Sequence, residues 1–196
     1  MNIFNNFNGR FTVLEVDTEL YEKYARDMHE SGISISSLDK MVRLMLGRPL
    51  VRSVLGKAKN LMVETGRELH ASLMVNDVSH YAGHLYPTYI HVGSGTTPPT
   101  VDDWKLENPW SSGGRYAITV AERDVHSHCK WEATIPSGDS GTIAELGLFL
   151  QEDPPAFNPQ NESSQYPYSM LHRALLATPV TKSAGSTEVI IYEAVF

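Results

Sequence analysis

The sequence has little that would supply disulfides, a membrane anchor or a targeting segment. Its single cysteine, Cys129, can form no intrachain disulfide, so a reducing folding compartment is expected. The longest apolar stretches, such as residues 144–150, are far shorter than the about 20 residues of a membrane-spanning helix. The first residues lack a charged segment followed by an apolar one, so we expect no signal peptide. These features predict synthesis in a cytoplasm and no membrane partner.

Basic charge is scarce and dispersed. The chain has 16 lysines and arginines against 23 acidic residues, for a net charge of −7. A protein whose affinity came from phosphate contacts would need a clustered basic face, so no nucleic-acid partner is expected. The 196 residues, of which 41% are hydrophobic, are enough to bury a core without covalent staples.

The first part of the chain, residues 1–76, is predicted to be a helical N-terminal region or arm. A short strand over 11–16 is followed by Asp17, a residue type suited to cap a helix. Ser36 or Ser37 can cap a second helix, whose apolar residues recur at intervals of three and four. Pro49 is well placed to start a third helix, because the same spacing continues to Met62.

The remainder, residues 77–196, has the short apolar runs and the Gly/Pro-rich turns of a β domain. Strands are predicted at 88–92, 115–121, 129–135, 143–150, 170–177 and 188–196. Their spacing, without helices between them, predicts a mainly β fold: an antiparallel β-sandwich, jelly-roll-like, with the α-helical region before it. Residues 153–168 are predicted to be a long surface loop, a feature that is often functional.

Histidines are the first candidates for a metal site. His80 and His84 would share one face of a helix, and His126 and His128 lie beside Cys129. Their spacing matches no metal-binding motif, so we regard them as weak candidates and predict no metal and no cofactor. Surface histidines, or histidines satisfied within the core, are the favoured interpretation.

Two further patterns for chemistry fail on context. Adjacent residues of a strand point to opposite faces, so His128 would not activate the Cys129 thiol, which we expect to be buried and inert. The Gly93-Ser94-Gly95 segment is followed by prolines and not by a helix, so it is no phosphate loop. We therefore predict that the protein is not an enzyme.

Glu145 is unusual because it lies within an apolar strand, where a lone carboxylate needs a partner. Arg173, in another predicted strand, is the candidate, and a structural ion pair is predicted between them. Asp102 and Asp103 are interpreted as caps of the turn before Trp104.

Trp104, Trp110 and Tyr86 form an aromatic set near loop sequence. Such residues serve sugar-binding sites and subunit contacts alike. We keep both as candidate roles and favour core or subunit contacts.

Three segments occur in an order that resembles small structural proteins of tailed-phage and prophage virions. They are Val92-Gly-Ser-Gly-Thr-Thr-Pro-Pro-Thr100, Thr142-Ile-Ala-Glu-Leu-Gly-Leu-Phe149 and Leu171-His-Arg-Ala174, followed by Pro179-Val-Thr-Lys182. The resemblance covers about residues 88–196 and leaves the helical front end unmatched. The sequence departs from the family pattern in the inserted segment 153–168 and in Leu171-His-Arg.

The resemblance implies a non-enzymatic β protein of a tail, baseplate, fibre or neck, located in the virion. Its partners would be copies of itself and other virion proteins, since such units usually form closed rings or trimers. A capsid decoration or collar protein is one alternative. A carbohydrate-binding or receptor-binding module, with a host-surface glycan as partner, is another. The resemblance implies no catalytic residues.

Overall fold

A computed structural model describes residues 8–74, 76, 86–110, 114–123, 128–150 and 170–195. Eight strands form a closed antiparallel barrel. They are β1 (Asn8–Val16), β2 (Val51–Met62), β3 (Tyr89–Gly93), β4 (Arg115–Arg123), β5 (His128–Ile135), β6 (Gly141–Phe149), β7 (Met170–Lys182) and β8 (Thr187–Val195). The order around the barrel is β1-β2-β7-β6-β3-β4-β5-β8.

The mainly β class is confirmed, but the predicted sandwich is wrong. Strand β1 pairs with β2 on one edge and with β8 on the other, and this joins the two ends of the sheet. A barrel and a sandwich share the same alternation of inward and outward residues. Closure of the barrel depends on the pairing of strands that are distant in the chain, such as β1 and β8. The alternation of residues within each strand does not specify that pairing.

The helices lie outside the barrel. Helix α1 (Thr18–Leu20) continues through a π-helical turn (Tyr21–Ala25) into α2 (Arg26–Glu30), and α3 (Ile35–Leu46) and α4 (Glu64–Met74) follow. Asp17 caps α1 as predicted, because its side chain accepts a hydrogen bond from the Leu20 N–H. The predicted caps of the second helix are wrong by two or three positions, since Ser34 precedes its first turn.

The third predicted helix is wrong: residues 51–62 form strand β2. This strand pairs with β1, and two register shifts place Arg52 and Leu55 as extra residues opposite it. Each bulge moves the following side chains to the other face. Two bulges so close together convert a period of two into a spacing that resembles a helix. The boundary predicted at residue 76 falls after α4, and β1 and β2 before it belong to the same barrel as the later strands.

The described core has an inner layer and two outer layers. The barrel interior is filled by apolar side chains from all eight strands, among them Phe11, Ile90, Leu146 and Ile190. Outside β1 and β8, helices α1 to α3 cover a second apolar cluster that includes Leu14 and Val189. Outside β7 and β6, α4 and the segment between β3 and β4 cover further apolar residues, including Leu171 and Phe149. Segment 93–110 is thereby brought against the barrel wall.

Candidate functional site

The outer surface of β6 and β7 carries a buried ion pair between the two predicted partners, Glu145 and Arg173. The Arg173 Nε and Nη2 atoms donate to Glu145 Oε2 over 3.1 and 2.9 Å. The Glu145 residue is 0% exposed and Arg173 is 2% exposed. These strands are neighbours, and Arg173 lies opposite Gly147, two residues along β6 from Glu145. The pair is thus fixed by strand register.

Both oxygens of Glu145 also hold the segment that leaves β3. Oε1 accepts hydrogen bonds from the backbone N–H groups of Gly95 and Asn108 over 3.1 and 2.7 Å, and Oε2 accepts one from Glu107 over 2.9 Å. We call residues 93–110 the clamp loop. Its two ends are joined directly, because Gly93 and Pro109 form an isolated β-bridge. The Glu145 carboxylate therefore holds both ends of the clamp loop, near Gly95 and near Asn108.

The acidic residues of the clamp loop complete the network. Asp103 Oδ2 accepts from Arg173 Nη1 over 2.7 Å, and its oxygens also accept from the N–H and hydroxyl of Thr100. Burial alone would raise the pKa of Asp103, but the Arg173 and Thr100 hydrogen bonds outweigh it and hold that pKa below its ordinary value. The predicted turn-capping role is confirmed for Asp103. Its ion pair with Arg173 was not predicted.

Glu107 stabilises the turn at the start of the clamp loop. Its carboxylate accepts from the Thr97 hydroxyl over 2.6 Å and from the N–H groups of Thr96 and Thr97 over 2.7 and 2.8 Å. The Thr97 hydrogen bonds lower the pKa of Glu107. Thr96 and Thr97 thus supply the donors to the Glu107 carboxylate, while Gly95 donates to Glu145.

The glycines of the clamp loop are required by close approach. A Cβ atom at Gly95 would lie 2.5 Å from Glu145 Oε1 and 2.7 Å from Glu107 Cβ, and one at Gly93 would lie 2.6 Å from the Asn108 carbonyl oxygen. A real Cβ does not come so near, so each glycine lets the backbone reach the carboxylate.

We expect Gly95→Ala to destabilise the fold by about 1–3 kcal/mol, because the added methyl overpacks the buried carboxylate. Gly138→Ala is the matched control, since a Cβ at Gly138 meets nothing within 4 Å. Urea unfolding of the two variants and the wild type measures the difference. Equal unfolding midpoints for Gly95→Ala and Gly138→Ala would show that the contact is not restrictive.

The predicted aromatic candidates have different surroundings. The Trp110 indole N–H donates to the Thr142 carbonyl over 2.8 Å, and a Cβ at Gly141 would lie 2.8 Å from its ring, so this side chain is part of the fold. Trp104 is half-buried, with the Lys105 ammonium 4.7 Å from its ring centre. Tyr86 is 65% exposed.

Of the weak metal candidates, His80, His84 and His126 lie outside the described residues. His128 is in β5, with its Nε2 3.8 Å from a Glu193 carboxylate oxygen. Within the described ranges, three or more His, Cys, Asp or Glu side chains nowhere gather closely enough to hold a metal ion. Cys129 is partly exposed, which corrects the expectation that it is buried.

A second buried network, which sequence reasoning missed, joins the helices to β5. Glu132 Oε2 accepts from the Ile35 N–H over 2.8 Å and lies 2.9 Å from His29 Nε2, while the Tyr21 hydroxyl is 2.9 Å from His29 Nδ1. Burial would raise the pKa of Glu132, but the His29 hydrogen bond and the Ile35 N–H outweigh it and lower that pKa. His29 and Glu132 are 103 residues apart in the chain. The only indication of their contact in the sequence is a charged residue, Glu132, within a predicted strand.

Both networks hold backbone segments in place. In the clamp-loop network, each carboxylate is held by donors from the protein, and Arg173 is occupied by Glu145 and Asp103. The helices that the structure describes are each too short or too polar to cross a bilayer.

Comparisons with known protein families, with curated proteins and with solved structures gave no match to this chain.

Proposed function

We propose that this protein is a structural component of a tailed-phage virion, of the tail, baseplate or neck type, or a fibre-anchoring protein. It acts without a catalytic step, through contacts with copies of itself and with neighbouring virion proteins. A capsid decoration or collar protein would use the same kind of contact at a different copy number.

One observation carries this proposal: the three segments of the phage-protein resemblance meet in a single buried network. The VGSGTTPPT segment supplies Gly95, the TIAELGLF segment supplies Glu145, and the LHRA segment supplies Arg173. Asp103, which follows the first segment by three residues, also accepts from Arg173. Three short patterns that are separate in the chain thus act as one structural unit. A unit that holds a long loop rigidly against a barrel suits a protein whose working surface is a contact surface.

Carbohydrate binding is less well supported. A sugar platform needs exposed aromatic faces, and Trp110 is committed to Thr142 and Gly141. Binding to a glycan that is lost on Tyr86→Ala or Trp104→Ala, with the fold intact, would favour that alternative.

The proposal is tested by deleting the coding sequence from the phage or prophage that carries it and supplying the protein in trans. We expect particles that stop at an incomplete tail, baseplate or head–tail junction in electron micrographs, with infectivity restored by the wild-type protein. A variant with the clamp-loop network broken, Arg173→Met, is expected to restore less. Complete, infectious particles without the protein would contradict the proposal.

A further inference from the structure

Helix α3 has an exposed apolar stripe beside its buried side. Its inner side, Ile35, Leu38 and Val42, is buried. On another side, Met41, Leu44 and Met45 are spaced three and four residues apart and are 38%, 88% and 61% exposed. Among the residues that the structure describes, none covers this second apolar side. We call Met41, Leu44 and Met45 the α3 stripe.

The chain segment that carries the α3 stripe is basic, although the protein as a whole is acidic. Residues 35–57 contain five lysines and arginines and a single acidic residue, in a chain of net charge −7. Two of these cations are already paired, Arg43 with Asp39 and Arg52 with Asp17. Asp39 also accepts from the Leu50 and Val51 N–H groups. Lys40 and Arg48 are exposed beside the stripe. The surface is thus apolar and basic.

A groove of the opposite character lies between α4 and the clamp loop. Two adjoining cavities, of about 300 and 240 Å³, share Glu64, Glu68 and Asp102 in their walls. The remaining lining residues are Arg67, Ala71 and Val101 in the first cavity, and Thr65, Asp103 and Trp104 in the second. Four carboxylates and the Arg67 guanidinium line the groove, and one of the four, Asp103, is already paired with Arg173. Burial together with Glu64 raises the pKa of Glu68. We call this feature the α4 groove.

The two surfaces lie on different sides of the barrel. Helix α3 packs over β1 and β8, and its first backbone N–H group contacts Glu132 of β5. The α4 groove lies over β7, β6 and β3, through the contact of Leu69 with Leu171 and the anchoring of the clamp loop to Glu145. In the closed order, β2 separates these two groups of strands on one side and β4 on the other. One molecule therefore cannot cover its own α3 stripe with its own α4 groove.

We propose that the α3 stripe of one molecule docks into the α4 groove of a second copy, in a head-to-tail contact. The inference rests on the proposed function in that it names how copies of the chain contact one another in the particle. The apolar stripe meets Ala71, Val101 and Trp104, and Lys40 and Arg48 meet the carboxylates of the groove. Because the two surfaces are different and lie on opposite sides, the contact is heterologous and repeats into a ring or a filament.

Sedimentation velocity of the purified full chain, over a range of concentrations, tests the contact. The wild type is expected to form oligomers larger than a dimer. Leu44→Asp, which places a charge in the stripe, and the double variant Glu64→Lys/Glu68→Lys, which reverses the groove, are each expected to sediment as monomers. Val195→Asp is the matched control, because it places the same charge on another exposed apolar residue, one that is 49% exposed. Val195 lies about 20 Å along β8 from Val189, which packs under helices α1 to α3. This variant should leave the oligomer intact.

Mixing the two disrupted variants separates this contact from any other. Leu44→Asp keeps an intact groove and the groove variant keeps an intact stripe, so the mixture is expected to form dimers and nothing larger. A symmetric contact, or an unrelated one, would not give dimers from two monomeric variants. Circular dichroism and thermal unfolding establish that each variant is folded.

A wild-type chain that remains monomeric, or a Leu44→Asp variant that assembles as the wild type does, would overturn the inference. A mixture of the two variants that yields no dimer would overturn it as well.

Particles assembled with the Leu44→Asp variant distinguish a failure of the α3 contact from a failure of the proposed function. If Leu44→Asp enters particles normally, the protein is a virion component but the α3 contact is not its interface.

Discussion

Replacing Arg173 by methionine is expected to lower the free energy of unfolding by about 3–5 kcal/mol, which is the usual result of removing one partner from a buried ion pair. Glu145 would be left buried with no cation beside it. Urea unfolding measures the loss. Hydrogen exchange should also accelerate at the Gly95, Glu107 and Asn108 amides, since these are held by the same carboxylate.

Two variants sharpen this result. Adding Glu145→Gln to Arg173→Met should recover part of the stability, because the buried charge is then removed. Arg43→Met breaks an exposed pair with Asp39, in which the arginine side chain is 58% exposed, and it should cost under about 1 kcal/mol. If Arg173→Met costs no more than Arg43→Met, the network does not hold the clamp loop.

The second large effect is a loss of stability on mild acidification. His91 and His172 are 5% and 3% exposed, and burial lowers the pKa of each to about 3, with smaller contributions from Arg115 and from His70. An unfolded histidine has a pKa near 6.5, so the unfolded chain binds protons that the folded chain does not. The stability is therefore complete above about pH 6.5 and declines as the pH falls toward 3.

At pH 5 the linkage amounts to about 2 kcal/mol for each histidine, or about 4 kcal/mol for the pair relative to pH 7.5. Urea unfolding at a series of pH values between 5 and 7.5 measures it. The carboxyl groups with lowered pKa, such as Asp103 and Glu132, contribute below this window. The His91 ring stacks on the Phe149 ring, with 3.9 Å between the ring centres. Replacing it in the His91→Leu variant should remove about half of the pH dependence of stability. A flat profile over this range would contradict the buried, neutral state of the two rings.

Local chemistry made the Glu145–Arg173 contact predictable. A carboxylate within an apolar strand requires a cation, and a nearby strand contained one. The Asp17 cap was predictable for the same reason, since its hydrogen bond spans three residues. The cap follows from residues that are immediate neighbours in the chain, whereas the ion pair follows from residue type, because a buried carboxylate needs a cation.

The errors have a different physical origin. Strand β2 was mistaken for a helix because bulges at Arg52 and Leu55 break its alternation, and those bulges exist only in the pairing with β1. Barrel closure depends on β1 meeting β8, whose residues are far away in the chain. The Glu132–His29 contact likewise depends on where the helices pack on the barrel. Each of these features is a property of the folded whole.

The same distinction applies to the candidate site. Asp103 and Glu107 were visible in the sequence as acidic residues of a turn-rich segment, but their joint role requires the clamp loop to fold back onto Arg173. In the folded chain, Gly95 and Arg173 of the phage-protein resemblance both donate to Glu145, and Thr96 and Thr97 donate to Glu107.

The central claim, that the protein is built into a particle, is tested most directly by its copy number in purified virions from the source, calibrated on the portal protein by quantitative mass spectrometry. The proposed role predicts a few to a few tens of copies, roughly the subunit numbers of closed rings and trimers repeated around a tail. Several hundred copies would indicate capsid decoration instead. Absence from the particle would contradict the structural role altogether.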